Sequence, residues 1–415
     1  MSYRLRLPVL TLCVLALNML STPAQAQVGQ RVAPGTAPAA DSDVADYRSR
    51  NFVVRTDLPK DEAEELLVRL EKMLVLISKY WGQPNRKTIY CYVVDDVSKW
   101  PAGGIPLEGL ASVRSGGGIT ISQSQWRAGR LLNADARVYA STREGTPLHE
   151  AVHAYCSQTF GRTGPLWYSE GMAEMGAYWD DSDQSVQLPQ HVLRYLQSNE
   201  VKSFNEIVNS DETTGDSWQN YTWRWALCHL LANNPNYSKR FRPLGMNLLL
   251  DRPDSFEQAY GNSAKEIEFE YRFFLDVIDN GLRADLIAWN WRVKSVPLRR
   301  GRRLVARVNA DGGWQPSRLA VQEGQSYQVQ TTGQWKTAKE AAELTGDGDA
   351  DGSGRLMGVL FDPDSYALSD PFELGADLTW TADESGHLYL RCSDDWGSLG
   401  DNDGSLKVSI SGIRD

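Results

Sequence analysis

The sequence predicts two kinds of fold in one chain: an α+β portion over residues 45–297 and an all-β sandwich over residues 298–415. Helical periodicity runs as far as Trp289-Asn290-Trp291 and then stops. Beyond residue 300, short alternating strands recur between Gly and Asp turns, the pattern of a sandwich or jelly roll. With 415 residues and 41% hydrophobic content, the chain is long enough to bury two cores.

The elements follow in order. Arg4 and Arg6 precede an apolar run from Leu7 to Leu20, and Ala24-Gln25-Ala26 has the small residues of a cleavage site. Residues 1–26 therefore read as a signal peptide, and the protein as exported, to a periplasm or the extracellular space. Cys13 follows Leu12 inside the apolar run, a poor context for lipidation. Residues 27–44, rich in Ala, Pro and Gly, read as a flexible leader. No later apolar run approaches the ~18 residues of a membrane span. Residues 52–55 read as a strand, and residues 60–82 as an amphipathic helix with Leu66, Leu67, Leu70, Met73, Leu74 and Ile77 on one face. Residues 88–94 and 118–122 read as further strands, the latter entered through Gly116-Gly117-Gly118. The expected sandwich strands are 304–308, 326–331, 387–392 and 405–411.

The net charge of −10 and a pI near 5.2, with no basic stripe, argue against a nucleic-acid partner. No P-loop, Gly-x-Gly-x-x-Gly or Gly-x-Ser-x-Gly motif stands in a credible context, and no solenoid-length repeat is visible.

The chemistry concentrates at Pro147-Leu-His-Glu-Ala-Val-His-Ala-Tyr-Cys156. Two of the five histidines, His149 and His153, bracket Glu150 four residues apart. On a helix, positions i and i+4 share a face, so both imidazoles can reach one ion. Glu150 lies about 100° around the axis, where it can hold a water beside that ion. This is the spacing of a zinc hydrolase. Thr146 is a candidate N-cap with Pro147 at the first helical position, and Leu148, Ala151, Val152 and Tyr155 form the buried face. A buried helix with merely hydrogen-bonded histidines is the plainer alternative. A catalytic zinc wants a third protein ligand. The position six residues after His153 is Thr159, so the metzincin arrangement is excluded. The next acidic cluster, Trp167-Tyr-Ser-Glu-Gly-Met-Ala-Glu174, falls on a second predicted helix that puts Glu170 and Glu174 on the same face.

The combination of HExxH with a following Trp-x-x-Glu-Gly-x-Ala-Glu helix resembles the gluzincin, or peptidase MA-like, zinc metallopeptidases. The two motifs cover about 26 residues. The resemblance implies a zincin-like catalytic domain with zinc on His149, His153 and Glu170, and Glu174 orienting a ligand histidine; the reverse assignment of the two glutamates stays open on spacing. It implies Glu150 as general base and a peptide or protein substrate. It also implies an edge strand ahead of the HExxH helix that pairs with extended peptide, for which 118–122 is the candidate, an ordinary sheet strand being the alternative. An oxyanion donor from a later helix would be Tyr221, with His229 behind it; an aromatic-rich core helix is the plainer reading of 221–229.

Four cysteines follow the expected cleavage site: Cys91, Cys156, Cys228 and Cys392. Export permits a Cys156–Cys228 bridge, and buried free thiols are the alternative. Gly386-His-Leu-Tyr-Leu-Arg-Cys-Ser-Asp-Asp-Trp396 and Asp401-Asn-Asp-Gly-Ser-Leu406 resemble the last strands of the bacterial PA-I galactophilic lectin family, a calcium-dependent galactose-binding sandwich. An echo of that fold also stands at Gly324–Val329 and Gly333-Gln-Trp335. The resemblance implies calcium on Asp394, the Ser398 carbonyl, Asp401 and Asn402, and carbohydrate as a partner, although the remaining sugar-contacting loop finds no counterpart here. Such clustered oxygens suit a hard cation. The loop Asp347-Gly-Asp-Ala-Asp-Gly352 lacks the Glu of an EF-hand, its twelfth position being Gly358, and reads as a solvated acidic turn.

The expectation is thus an exported zinc metallopeptidase with a β-sandwich accessory domain. The rival expectations are a carbohydrate- or cell-surface-binding protein with a vestigial metal domain, and a metal hydrolase of non-peptide substrates.

Overall fold

The computed structural model describes residues 44–143, 145–179, 184–209, 218–298 and 301–413. The expected signal peptide, and the leader up to residue 43, lie outside the described residues. Residues 42–415 form one compact unit.

The chain opens on β1 (Ala45–Arg48) and β2 (Phe52–Thr56), followed by α1 (Lys60–Trp81). The spacing of Leu66, Leu67, Leu70, Met73, Leu74 and Ile77 buries one face of α1, and Gly82 ends it in the left-handed conformation at φ 68°. Then come β3 (Ile89–Val94), α2 (Leu107–Arg114), and a long hairpin of β4 (Gly118–Arg127) and β5 (Arg130–Ser141). The five strands form one sheet in the order β1-β2-β3-β5-β4. β2, β3 and β5 run parallel, while β1 and β4 are antiparallel edges. Inward-facing Ala136, Val138 and Ala140 of β5 share a core with α1 and the HExxH helix, α3 (Thr146–Phe160). Tyr139, of opposite parity, packs outward with Val113 of α2.

A helical layer follows: α4 (Leu166–Tyr178), α5 (Gln190–Ser198), α6 (Phe204–Asn209), α7 (Trp218–Asn233), α8 (Ser238–Leu249), α9 (Phe256–Tyr260) and α10 (Ala264–Asp276). α4 lies against α3 on one side and α7 on the other. Gly171 makes the second approach possible: a Cβ there would stand 2.4 Å from Cys228 Sγ and 2.7 Å from Arg224 O. Because α4 intervenes, Cys156 on α3 and Cys228 on α7 do not form the possible bridge; all four described cysteines are free and buried. Burial raises the pKa of each thiol, which keeps it protonated and inert.

The remaining strands are β6 (Val296–Pro297), β7 (Arg303–Asn309), β8 (Gln315–Val321), β9 (Ser326–Lys336), β10 (Leu356–Asp362), β11 (Ala367–Leu368), β12 (Phe372–Glu373), β13 (Asp377–Thr381), β14 (Gly386–Cys392) and β15 (Asp403–Gly412). One sheet runs β11-β10-β14-β8-β6 with β12 on β10; the other runs β13-β9-β15-β7. Leu319, Leu360, Leu388 and Leu390 from the first sheet share a core with Val308, Val329, Leu406 and Val408 from the second, so the two sheets are layers of one sandwich. The architecture is therefore an α+β portion followed by a β-rich portion. Between them runs an aromatic seam: Trp289 stacks on Tyr389 with centroids 4.1 Å apart, Phe269 meets Phe361 at 5.2 Å, and Phe273 meets Trp396 at 5.4 Å. Among the described residues no helix is long and apolar enough to cross a membrane.

Candidate metal centre

α3 starts at Thr146, one residue earlier than expected, with Gly145 rather than Thr146 in the N-cap position and Pro147 in the first turn. His149 and His153 project one turn apart from its cleft-facing edge, their Nε2 atoms 3.1 Å from each other. α4 brings Glu170 to the same point: its Oε2 lies 3.2 Å from His149 Nε2 and 3.4 Å from His153 Nε2. Among the described residues these three form the one group of His, Cys, Asp or Glu side chains able to hold a metal, with ligand atoms within 4.8 Å of one another.

Other groups orient the rings. Glu174 Oε1 stands 2.9 Å from His149 Nδ1. Ser169 Oγ lies 3.3 Å from His153 Nδ1. A carboxylate against Nδ1 favours a proton on that nitrogen and leaves the Nε2 lone pair facing inward. Two lone pairs and a carboxylate oxygen then converge with no donor of their own, a donor set that fits a borderline-soft divalent cation such as zinc. Burial pushes the His149 pKa down, but Glu170 and Glu174 outweigh it and hold it well above the ordinary value. Burial pushes Glu170 up, but His153 and His149 outweigh it and hold its carboxyl well below the carboxylate range.

Glu150 stays out of this cluster. It is 7% exposed and turned toward β4, where Thr120 Oγ1 lies 2.7 Å from Glu150 Oε2 and 2.8 Å from its main-chain oxygen. Gly118 permits the approach, since a Cβ at that position would stand 2.6 Å from Glu150 Cγ and 2.9 Å from Thr146 Cγ2. Strand 118–122 is part of β4, and β4 is a sheet edge beside the cleft, as expected for it. Gly118 and Thr120 are the site residues that sequence reasoning missed. Their signal is a glycine and a β-branched hydroxyl two apart on one face of the strand.

The centre opens into a cleft of about 970 Å³ with two unlike walls. One wall is Gly116–Gly118, Thr120 and Ser122; the other carries Tyr221, Trp218 and His191. Tyr221 stacks on His149 with centroids 5.5 Å apart. His229 is elsewhere. It is buried between Trp225 and Phe274, and burial lowers its pKa to about 4, so it belongs to the core and not to the cleft.

Beside the aromatic seam, the predicted calcium residues fall in one loop of the sandwich between β14 and β15. Asp394 Oδ2 and Asn402 Oδ1 are buried without a hydrogen-bond donor, and Asn402 Nδ2 is committed to Ala310 O at 3.2 Å. Burial raises the Asp394 pKa, opposed by the Asp395 N–H that donates to Asp394 Oδ1 at 2.9 Å. Ser398 and Asp401 sit in the same loop and are exposed. In the other acidic loop, Asp349 Oδ1 accepts from Asp351 N and Ser353 N and caps its own turn, while Asp347 Oδ1 accepts from Ala376 N and ties the loop to the residue before β13.

No protein-family model matches the chain, and no curated protein matches it. Solved structures similar to parts of it include the EclA N-terminal domain, a PllA-like lectin, at 16% identity over 26% of this chain and 96% of that one, with a TM-score of 0.22. Two others are a conserved protein of unknown function from Bacillus anthracis str. Ames (a mutant) and PliG from Aeromonas hydrophila, a periplasmic inhibitor of g-type lysozyme. The first has 10% identity over 28% of this chain and 22% of that one (TM-score 0.18). The second has 11% identity over 29% and 96% (TM-score 0.17). Likenesses this slight fix neither the fold nor the chemistry of this chain.

Proposed function

We propose that the protein is an exported zinc-dependent peptidase of gluzincin type. One observation carries the reading: His149 Nε2, His153 Nε2 and Glu170 Oε2 converge on one point while a second carboxylate, the buried Glu150, is held apart from them on Thr120. A structural zinc site fills all four positions with protein and needs no separate base; this cluster offers three and opens on a cleft.

His149, His153 and Glu170 hold the ion, and Glu174 orients His149. Zinc held there would supply Lewis acidity and lower the pKa of a nearby water. Glu150 is the general base, taking a proton from the attacking water and returning it to the leaving amine. Tyr221, which stacks on His149, is the proposed donor to a developing oxyanion. An extended peptide would lie along the open edge of β4, main chain to main chain.

The test joins metal content to cleavage. The purified protein should carry one zinc and cleave members of a peptide library, and a chelator should abolish cleavage. Glu150→Gln should keep the zinc and lose about 10²–10⁴ in rate, since Gln has the size of Glu but accepts no proton. Cleavage by Glu150→Gln at the wild-type rate sinks the mechanism. Cleavage of non-peptide esters or amides alone moves the reading to the rival metal hydrolase.

A second reading concerns the sandwich, and the two orphaned buried oxygens of Asp394 and Asn402 favour it. These oxygens would bind calcium with Asp401 and the Ser398 carbonyl, and the ion would hold sugar hydroxyls, making the domain a carbohydrate-binding accessory.

A further inference from the structure

The outer face of the β13-β9-β15-β7 sheet gathers cations that the sequence keeps apart. In β7 the residues alternate, with Ala306 and Val308 buried and Arg303, Val305 and Arg307 exposed. The register sets Arg307 directly opposite Lys407 of β15, which in turn faces Thr332 of β9. Like charges directly opposed across an antiparallel pair are destabilising. The chain keeps this pair in a protein of net charge −10. Among the described residues, none of Arg303, Arg307 and Lys407 has an acidic group within salt-bridge distance. Arg303 is four residues from Arg307 along the strand, about 13 Å at ~3.3 Å per residue.

The surroundings are hydroxyls and amides. Ser405, Ser409, Ser411, Gln328, Gln330 and Gln334 point the same way as the cations. Two acids share the face. Asp377 accepts from Gln330 Nε2 at 3.3 Å, and Asp403 lies opposite Lys336; both sit away from the Arg303–Arg307–Lys407 flank. The aromatic residues of these strands, Tyr327, Trp335 and Trp380, have the opposite parity and pack in the sandwich.

We propose that this face is a docking surface for an anionic polysaccharide. Three unneutralised cations, two of them held in mutual repulsion, call for an extended polyanion lying across β7 and β15. The serine and glutamine rows offer the donors and acceptors that sugar hydroxyls pair with. A single-stranded nucleic acid would need aromatic platforms for its bases, and this face presents none. The inference rests on the sheet register alone and is independent of the peptidase reading and of the calcium loop.

The purified protein, in chelator so that no calcium-bridged sugar contact contributes, is tested for binding to heparin, polygalacturonate, neutral dextran and an oligodeoxythymidylate of matched charge. Heparin should bind at about 0.1 M salt and release near 1 M, as the screening length falls from ~10 Å to ~3 Å. Binding of polygalacturonate as well assigns the face to anionic chains in general, and binding of heparin alone assigns it to sulfated ones. The triple variant Arg303→Ser/Arg307→Ser/Lys407→Ser should bind at least about tenfold more weakly, the fold-change of three exposed ion pairs lost together. Lys407→Thr, which relieves the repulsion without touching the core, should weaken binding severalfold with no fall in melting temperature. Retention no better on heparin and polygalacturonate than on dextran overturns the proposal. Wild-type affinity in both variants also overturns it, as does tighter binding of the oligonucleotide than of either polysaccharide.

Discussion

Two largely enclosed glutamates in the same helical layer have opposite surroundings. Glu270 on α10 is 3% exposed and surrounded by donors. Asn236 Nδ2 and Tyr237 OH donate to its Oε1 at 2.8 Å, Trp291 Nε1 at 2.6 Å, and Asn234 Nδ2 and Trp289 N donate to Oε2, the latter at 3.2 Å. Glu170 on α4 faces two imidazole nitrogens whose lone pairs compete with its own oxygen for one position. Glu270 is a staple, every lone pair met by a neutral N–H or O–H, fastening α7, α8 and α10 to the Trp289–Trp291 segment at the aromatic seam. Glu170 belongs to a set of acceptors that only a cation can satisfy. Burial alone does not distinguish them; the character of the partner does.

The comparison breaks if the two residues exchange roles on substitution. The largest effect is expected at Glu170. Glu170→Gln should abolish stoichiometric zinc in the reconstituted protein, as read by metal analysis, because one of three ligands goes. Retention of a full equivalent would remove Glu170 from the ligand set and reopen the assignment to Glu174. Glu174→Gln should be milder, weakening zinc about 10–100-fold in a competition titration, the usual consequence of losing a carboxylate behind a ligand histidine.

How much of this was legible in the sequence follows from the same distinction. His149, Glu150 and His153 stand at fixed spacing on one helix, whose geometry alone puts both imidazoles on one face with Glu150 to the side; Glu170 was legible through its own motif, and the packing of α4 on α3 brings it to them. The amphipathic α1 and strands β2 and β3 were equally plain, with branched or aromatic residues at the expected period. β5 was not read, because its buried residues Ala134, Ala136, Val138 and Ala140 are mostly alanines of low strand propensity. With β5 unread, the contact of Gly118 and Thr120 with Glu150 was out of reach, since β5 holds β4 against α3. His229 misled because it shares a helix with Tyr221; eight residues along α7, it lies in the core. The Arg307–Lys407 opposition depends on the pairing of strands a hundred residues apart, which no local pattern encodes.

At Glu270 the expected effect moves from metal to stability. Its carboxyl pKa is raised: burial is the larger influence, and the hydrogen bonds from Trp291, Tyr237, Asn234 and the Trp289 N–H oppose it. The folded state therefore holds a proton over a range where the unfolded chain has lost it. Stability falls as pH rises from the ordinary glutamate value through the raised one. Glu270→Gln replaces one oxygen by an amide group that faces at least two donors. It should cost about 1–3 kcal/mol and flatten the pH dependence of melting across that window, with zinc content unchanged. A melting curve equal to wild type at all pH values, or a loss of zinc, would dissolve the contrast between staple and ligand.

The smallest effect sharpens the comparison in the sandwich. Asp394 and Asn402 resemble Glu170 more than Glu270, since each keeps a buried oxygen with no donor. If calcium satisfies them, the ion binds the native state and not the unfolded chain, and stability rises by RT ln(1 + [L]/Kd). Calcium at ten times Kd adds about 1.4 kcal/mol, or a rise of roughly 2 °C in melting temperature for a chain of this size. Magnesium should do less, because it demands octahedral geometry and keeps its waters. Asp394→Ala should lose the calcium response and leave zinc untouched. An absent shift in the wild-type protein at millimolar calcium removes the ion from this loop. A shift that persists in Asp394→Ala moves the ion elsewhere and leaves the two orphaned oxygens as a strained feature of the β14–β15 turn.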